Sequence, residues 1–246
     1  MGNVCESEGN KSSSMINQAN NQQENSKIDQ ALNEHKGIKI KNMKKLSPSI
    51  CKIIFGSKLG TGFFMKVPFY KSSIFLITYF HVLSNDSISD YADIEIHNEN
   101  RYKIKMDSKE RFIRYINKPK DITIIEIKDT DEFIKYIDFL NCDINYLDNI
   151  NKYEEYRDQY VFCFQYPNGN ELEVAVGKII NINNYEFDHN IKTEAGSSGS
   201  PITLLSNSKV IKLGDKNKNL NIGIFIGEIF NINNNKYFKD KTIPKI

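Results

Sequence analysis

From residue 50 onward the chain is written as short apolar runs of strand length, rich in β-branched residues and parted by polar turns. The runs are CKIIFG, GTGFFMKV, SIFLIT, ADIEIH, RYKIKM, DITIIEI, QYVFCFQ, LEVAVGKIINI, SPITLL and NIGIFIGEIF. One stretch differs. DEFIKYIDFL (131–140) places apolar residues at 133, 134, 137 and 140, a spacing that predicts a helix near the middle of the chain. Short strands on either side of such a connector predict an all-β barrel or a pair of barrels.

The first aromatic residue is Phe55, and all 15 Phe and 13 Tyr lie from there on. Residues 1–46 are instead rich in Asn, Gln, Ser and Lys. Such a segment cannot bury enough apolar surface to offset its ordering entropy, so it is expected to be disordered, with the folded domain at 47–246. A formal net charge of +2 gives no global reason to expect nucleic acid as a partner. No apolar run approaches the roughly 20 residues of a membrane-spanning helix, and the polar N-terminus does not read as a secretory signal. The four cysteines (Cys5, Cys51, Cys142, Cys163) show no metal-binding spacing. They read as reduced thiols of a cytosolic chain, with Cys51 and Cys163 buried in apolar runs.

TEAGSSGSP (193–201) is the segment that raises chemistry. Three serines between glycines make either a polar turn or a nucleophile loop. A serine hydroxyl attacks only when a base takes its proton and a third group orients that base. The histidines are His35, His81, His97 and His189, none of them beyond Ser198. That excludes the Ser, acid, His order of α/β-hydrolases, whose GxSxG elbow also fails because Ser200 takes the last glycine position. The Asp, His, Ser order would need an acid near Asp29, in the expected disordered tail. The order His, Asp, Ser remains. His81 ends the apolar run FLITYFHVLS, and Asp121 heads DITIIEI after the polar NKPK. His97 and His189 read as surface residues, and His35 lies in the tail.

ITYFHVL, DITIIEI and GSSGSP together resemble the three catalytic blocks of the chymotrypsin-like serine protease superfamily. GTGFF (60–64), FQYPNG (164–169), VGKI (176–179) and NIGIFIG (221–227) are similar to blocks of its compact branch, the bacterial glutamyl endopeptidases and high-temperature-requirement-type proteases. The resemblance covers roughly residues 50–230. It implies two six-stranded antiparallel β-barrels with the active site in the cleft between them. The first would span about 47–130 and the second 157–246, joined by a connector at 131–156. It implies a serine endopeptidase acting on peptide or protein substrates without a cofactor or metal. The family's GxSGxP pattern falls on Gly196, Ser198, Gly199 and Pro201. Ser198 is then the nucleophile, His81 the base, Asp121 its orienting acid, and the Gly196 and Ser198 amides the oxyanion hole.

Departures from the family carry information of their own. Ser197 replaces the aspartate with which secreted trypsins hold a newly cut N-terminus. Tyr79 and Phe80 replace small or polar residues and are expected to narrow the cleft; an inactive peptide-binding or scaffolding module is the alternative reading. The specificity pocket falls at Lys192, Thr193, Phe225 and Gly227. Phe225 stands where glutamyl endopeptidases carry a histidine, so their preference does not transfer. Lys192, near the pocket floor, favours an acidic side chain if it points inward and nothing if it points to solvent.

MGNVCESEGNKSSS supplies an address. Gly2 behind the initiator methionine and Cys5 suit myristoylation and palmitoylation, the two signals that stable anchoring needs, although Glu6 stands where the acceptor pattern prefers Ser or Thr. The lysines at 36, 39, 41, 44 and 45 add weak attraction to anionic lipid. The expected location is the cytosol or the cytoplasmic face of a membrane, against an unmodified tail as the plain alternative.

Overall fold

The structure, a computed structural model, describes residues 46–66, 74–85, 91–96, 100–116, 120–141, 150–183, 186–204, 210–213 and 222–225. All fall within one compact unit, Asn42–Ile246. Gly2, Cys5, His35, His97 and Gly227 lie outside the described residues.

Each of the ten apolar runs carries a strand. β1 (Ile50–Phe55), β2 (Lys58–Lys66), β3 (Ile74–Tyr79), β4 (Tyr91–Ile96) and β5 (Asn100–Lys105) precede β6 (Ile113–Ile116) and β7 (Ile122–Ile127). After the two-residue β8 (Leu140–Asn141) come β9 (Tyr160–Gln165), β10 (Glu173–Asn183), β11 (Glu186–His189), β12 (Pro201–Leu204), β13 (Val210–Leu213) and β14 (Ile222–Phe225). Burial follows the residue pattern. In β4, Ala92, Ile94 and Ile96 are buried while Asp93 and Glu95 are not, the alternation of a half-covered strand. β7 reads ITIIEI and buries both faces.

The strands form two sheets. The first runs β5-β4-β1-β2-β3-β7-β6, antiparallel throughout, with β8 added in parallel to β2. The second closes as a six-stranded barrel, β10-β11-β14-β13-β12-β9. The chain is therefore all-β, as expected. Its second sheet is a closed barrel, and its first is a half-barrel whose end strands β5 and β6 do not pair with each other among the described residues. β6, β8, β11 and β13 were not legible as strands. They span two to four residues, and EFDH of β11 has only one apolar position, so pairing with β10 and β14 decides its state.

The expected helix at 131–140 is absent. A 3-10 turn covers Ile134–Tyr136 and the chain is extended again at Ile137. Phe133, Ile137 and Leu140 are buried as a helix face would be. The reason lies at Asp131. Its carboxylate accepts from Lys128 N (2.8 Å) and from both terminal nitrogens of Arg111 (2.8 and 2.9 Å), which holds the segment's start in a turn. No helix among the described residues is long and apolar enough to cross a membrane.

β9 is a wall between two cores. Phe162, Phe164 and, just past its end, Tyr166 pack into the core of the first sheet. Val161 and Cys163 face the core of the second. Cys51 and Cys163 are both buried thiols outside any disulfide, and burial pushes the Cys51 thiol well up. Native protein treated with iodoacetamide is expected to stay unmodified at both, with modification after denaturation. Peptide mass mapping that finds either one modified in the native state refutes this burial.

Candidate active site

β3 ends with Tyr79 fully buried, and the chain then makes one tight turn in which Val82 N and Leu83 N donate to Tyr79 O (3.2 and 3.1 Å). The turn lifts His81 out of the core, leaving its side chain 46% exposed, while Thr123 Oγ1 anchors the exit by donating to Leu83 O (2.7 Å). Asp121, immediately before β7, grips this turn. Phe80 N donates to Asp121 O (3.1 Å), His81 N to Asp121 Oδ1 (2.9 Å), and His81 Nδ1 lies 2.6 Å from Asp121 Oδ2. A carboxylate only accepts, so Nδ1 carries the proton and the Nε2 lone pair is left to act as a base. Asp121 sits at φ 54°, a left-handed conformation that aspartate tolerates better than most residues. Three hydrogen bonds to one turn hold it there.

Tyr79 and Phe80, expected to narrow the cleft, are both buried. Tyr79 belongs to the first core, and Phe80 is buried edge-on against Tyr115, ring centroids 6.2 Å apart. The strand ends at Tyr79, and the turn that follows it packs Phe80 inward and carries His81 outward.

The TEAGSSGSP loop is held from the first sheet, chiefly by Thr61 of β2. Thr61 Oγ1 donates to Gly196 O (2.8 Å) and accepts from Tyr166 N (3.1 Å), Thr61 N donates to Ser198 O (2.8 Å), and Thr78 Oγ1 donates to Thr61 O (2.8 Å). Four hydrogen bonds thus converge on one buried residue that sequence reading saw only as part of GTGFF. The neighbouring Gly60 is the place where the two expected catalytic segments meet. A Cβ there would stand 2.6 Å from Val82 Cγ2 and 3.1 Å from Ser198 O. Among the described residues Ser198 Oγ forms no hydrogen bond with His81 Nε2, an interval that commonly tightens only when substrate binds.

Within the loop, Ser197 is buried and neutral; its Oγ accepts from Glu194 N (3.1 Å), and Ser200 Oγ donates to Ser197 O (2.7 Å). Gly196 and Gly199 take φ of 88° and 92°, where a side chain would be strained. No acceptor is found among the described residues for the amides of Gly196 and Ser198.

The expected pocket residues fare differently. Lys192 is 87% exposed, its Nζ 3.6 Å from Glu194 Oε1, so it points to solvent and offers no inward charge. Thr193 is half-buried beside it, and Phe225 lies on β14 paired with Lys212. His189, expected at the surface, is buried on β11, its ring against Phe187 and its Nδ1 accepting from Ile191 N (3.3 Å). A polar-looking EFDH hid this, because one barrel wall buries its alternate residues Phe187 and His189.

No protein-family model matches the chain, and no curated protein does either. Solved structures do match its fold. The Rv3671c protease of M. tuberculosis, inactive form, superimposes with a TM-score of 0.54 at 15% identity, covering 76% of this chain and 87% of that one. Deg5 gives 0.56 at 15% identity, covering 77% and 89%. The serine protease of a human pathogenic astrovirus gives 0.51 at 18% identity, covering 73% and 90%.

Proposed function

From a chymotrypsin-like fold, we propose that the chain is a serine endopeptidase acting through His81, Asp121 and Ser198. The observation that carries the reading is the 2.6 Å contact of His81 Nδ1 with Asp121 Oδ2, made by a half-exposed imidazole on a buried scaffold. Asp121 fixes the tautomer and stabilises the imidazolium that forms. His81 Nε2 takes the Ser198 Oγ proton as that oxygen attacks a peptide carbonyl. The Gly196 and Ser198 amides receive the developing oxyanion, a term worth about 3–4 kcal/mol per lost donor in such sites. His81 then protonates the leaving amine, and a water molecule, activated the same way, releases the acyl group. Ser198 is only partly buried, unlike its buried neighbours Ser197 and Gly199.

The reading as an inactive binding module rested on Tyr79 and Phe80 filling the cleft; both are buried, Phe80 against Tyr115 and Tyr79 in the first core with its ring 5.3 Å from that of His81. A fluorophosphonate probe tests the enzyme directly. Wild type is expected to be labelled covalently, with labelling abolished in Ser198→Ala. Folded wild-type protein that resists the probe overturns the proposal.

A further inference from the structure

The loop that presents the oxyanion amides needs something to keep it in position, and Ser197 supplies no charge for the task. The short turn YPNG (166–169) embraces it. Asn168, at φ 53°, donates its backbone N–H to Ala195 O and its side-chain Nδ2 to Glu194 Oε2 (2.6 Å). The fit is close, since a Cβ on Gly196 would stand 2.9 Å from Gly169 N and 3.3 Å from Asn168 N. In a trans peptide the C=O and N–H lie in one plane and point in opposite directions. Drawing Ala195 O toward Asn168 therefore turns the Gly196 N–H the other way. The next peptide plane is fixed as well, because Gly196 O accepts from Thr61 Oγ1 (2.8 Å).

We propose that Asn168 is a positioning residue: the YPNG turn latches the Ala195–Gly196 peptide so that the Gly196 amide stays aimed at the oxyanion position without any charged activating group. The inference rests on the serine protease reading and adds to it a built-in means of keeping the site assembled. Asn168 touches neither substrate nor reacting atoms. It acts through the 194–196 segment, and it is suited to the left-handed turn because Asn accepts that conformation readily.

The test is Asn168→Asp in the full chain. The replacement is isosteric and tolerates the same backbone conformation, but it sets a carboxylate against Glu194. The rate of fluorophosphonate labelling, whose phosphonyl oxygen enters the oxyanion position, is expected to fall about tenfold, a loss comparable to one hydrogen bond to a charged group. Hydrolysis of a fluorogenic casein is expected to lose kcat by a similar factor with KM unchanged. The double variant Asn168→Asp/Glu194→Gln, in which the amide and carboxylate exchange sides, is expected to recover both rates to within about threefold. Mere local destabilisation would move the melting temperature without that reciprocal rescue. Labelling of Asn168→Asp at the wild-type rate, or a double variant as slow as the single, overturns the latch. Wild type that is not labelled overturns the protease reading, and the latch with it.

Discussion

Asp121→Asn is expected to lower casein hydrolysis and fluorophosphonate labelling by about 10⁴-fold while leaving the melting temperature nearly unchanged, the scale set by amide replacement of a triad carboxylate. The fold should persist because asparagine also accepts the left-handed conformation at φ 54°. Its side-chain oxygen can still take the His81 N–H that Asp121 Oδ1 accepts at 2.9 Å. What changes is the atom facing His81 Nδ1. An NH₂ group donates, so Nδ1 must accept, and the ring proton moves to Nε2, where it faces the nucleophile and removes the base. A variant within tenfold of wild type would show that His81 does not work through this contact. The same substitution separates a catalytic from a structural aspartate, because rate and stability move apart.

Asp131→Ala is expected to cost about 3–5 kcal/mol of stability, read as a shift in the urea midpoint at unchanged slope. Arg111 and Asp131 form a fork-on-fork pair with side chains only 7% and 10% exposed. Arg111 also donates to Glu126 O (3.0 Å), and the Glu126 carboxylate accepts from Phe112 N (2.9 Å), so the pair ties the approach to β6, the end of β7 and the 131 turn together. Removing one partner leaves an uncompensated charge in a desolvated site, and that penalty dominates the expected loss. Replacing both, as Arg111→Met/Asp131→Leu, is expected to recover part of it, since no buried charge is left unpaired and only Lys128 N and Glu126 O lose a partner. By contrast the exposed Arg157–Glu154 pair, with side chains 39% and 57% exposed, should contribute no more than about 1 kcal/mol. A loss below about 1 kcal/mol on Asp131→Ala would mean that water reaches Arg111 in the native state.

Strand positions were legible because burial has a period along a half-covered strand, announced by Ala92, Ile94 and Ile96 of β4, and because a fully covered strand such as β7 is a short continuous apolar run. The helix expected at 131–140 failed for a related reason. Phe133, Ile137 and Leu140 have helical spacing, but the same three residues reach the core from a 3-10 turn and an extended tail once Asp131 is committed to Arg111. Short strands failed because EFDH has too few residues to establish a period, and its neighbours β10 and β14 supply what it lacks.

The chain by itself determined an all-β fold and a His, Asp, Ser order that leaves His81, Asp121 and Ser198 as the candidate set. Tertiary structure decided which way those segments face. It turned Tyr79 and Phe80 into the core, sent Lys192 to solvent, buried His189, and gave Thr61 its four partners. The physical reason is range. Apolar periodicity is written in neighbours, whereas Thr61 meets Tyr166 across 105 residues and Gly196 across 135. A hydrogen bond of that separation leaves no pattern in a single sequence; it exists only once two sheets share the wall that β9 builds between them.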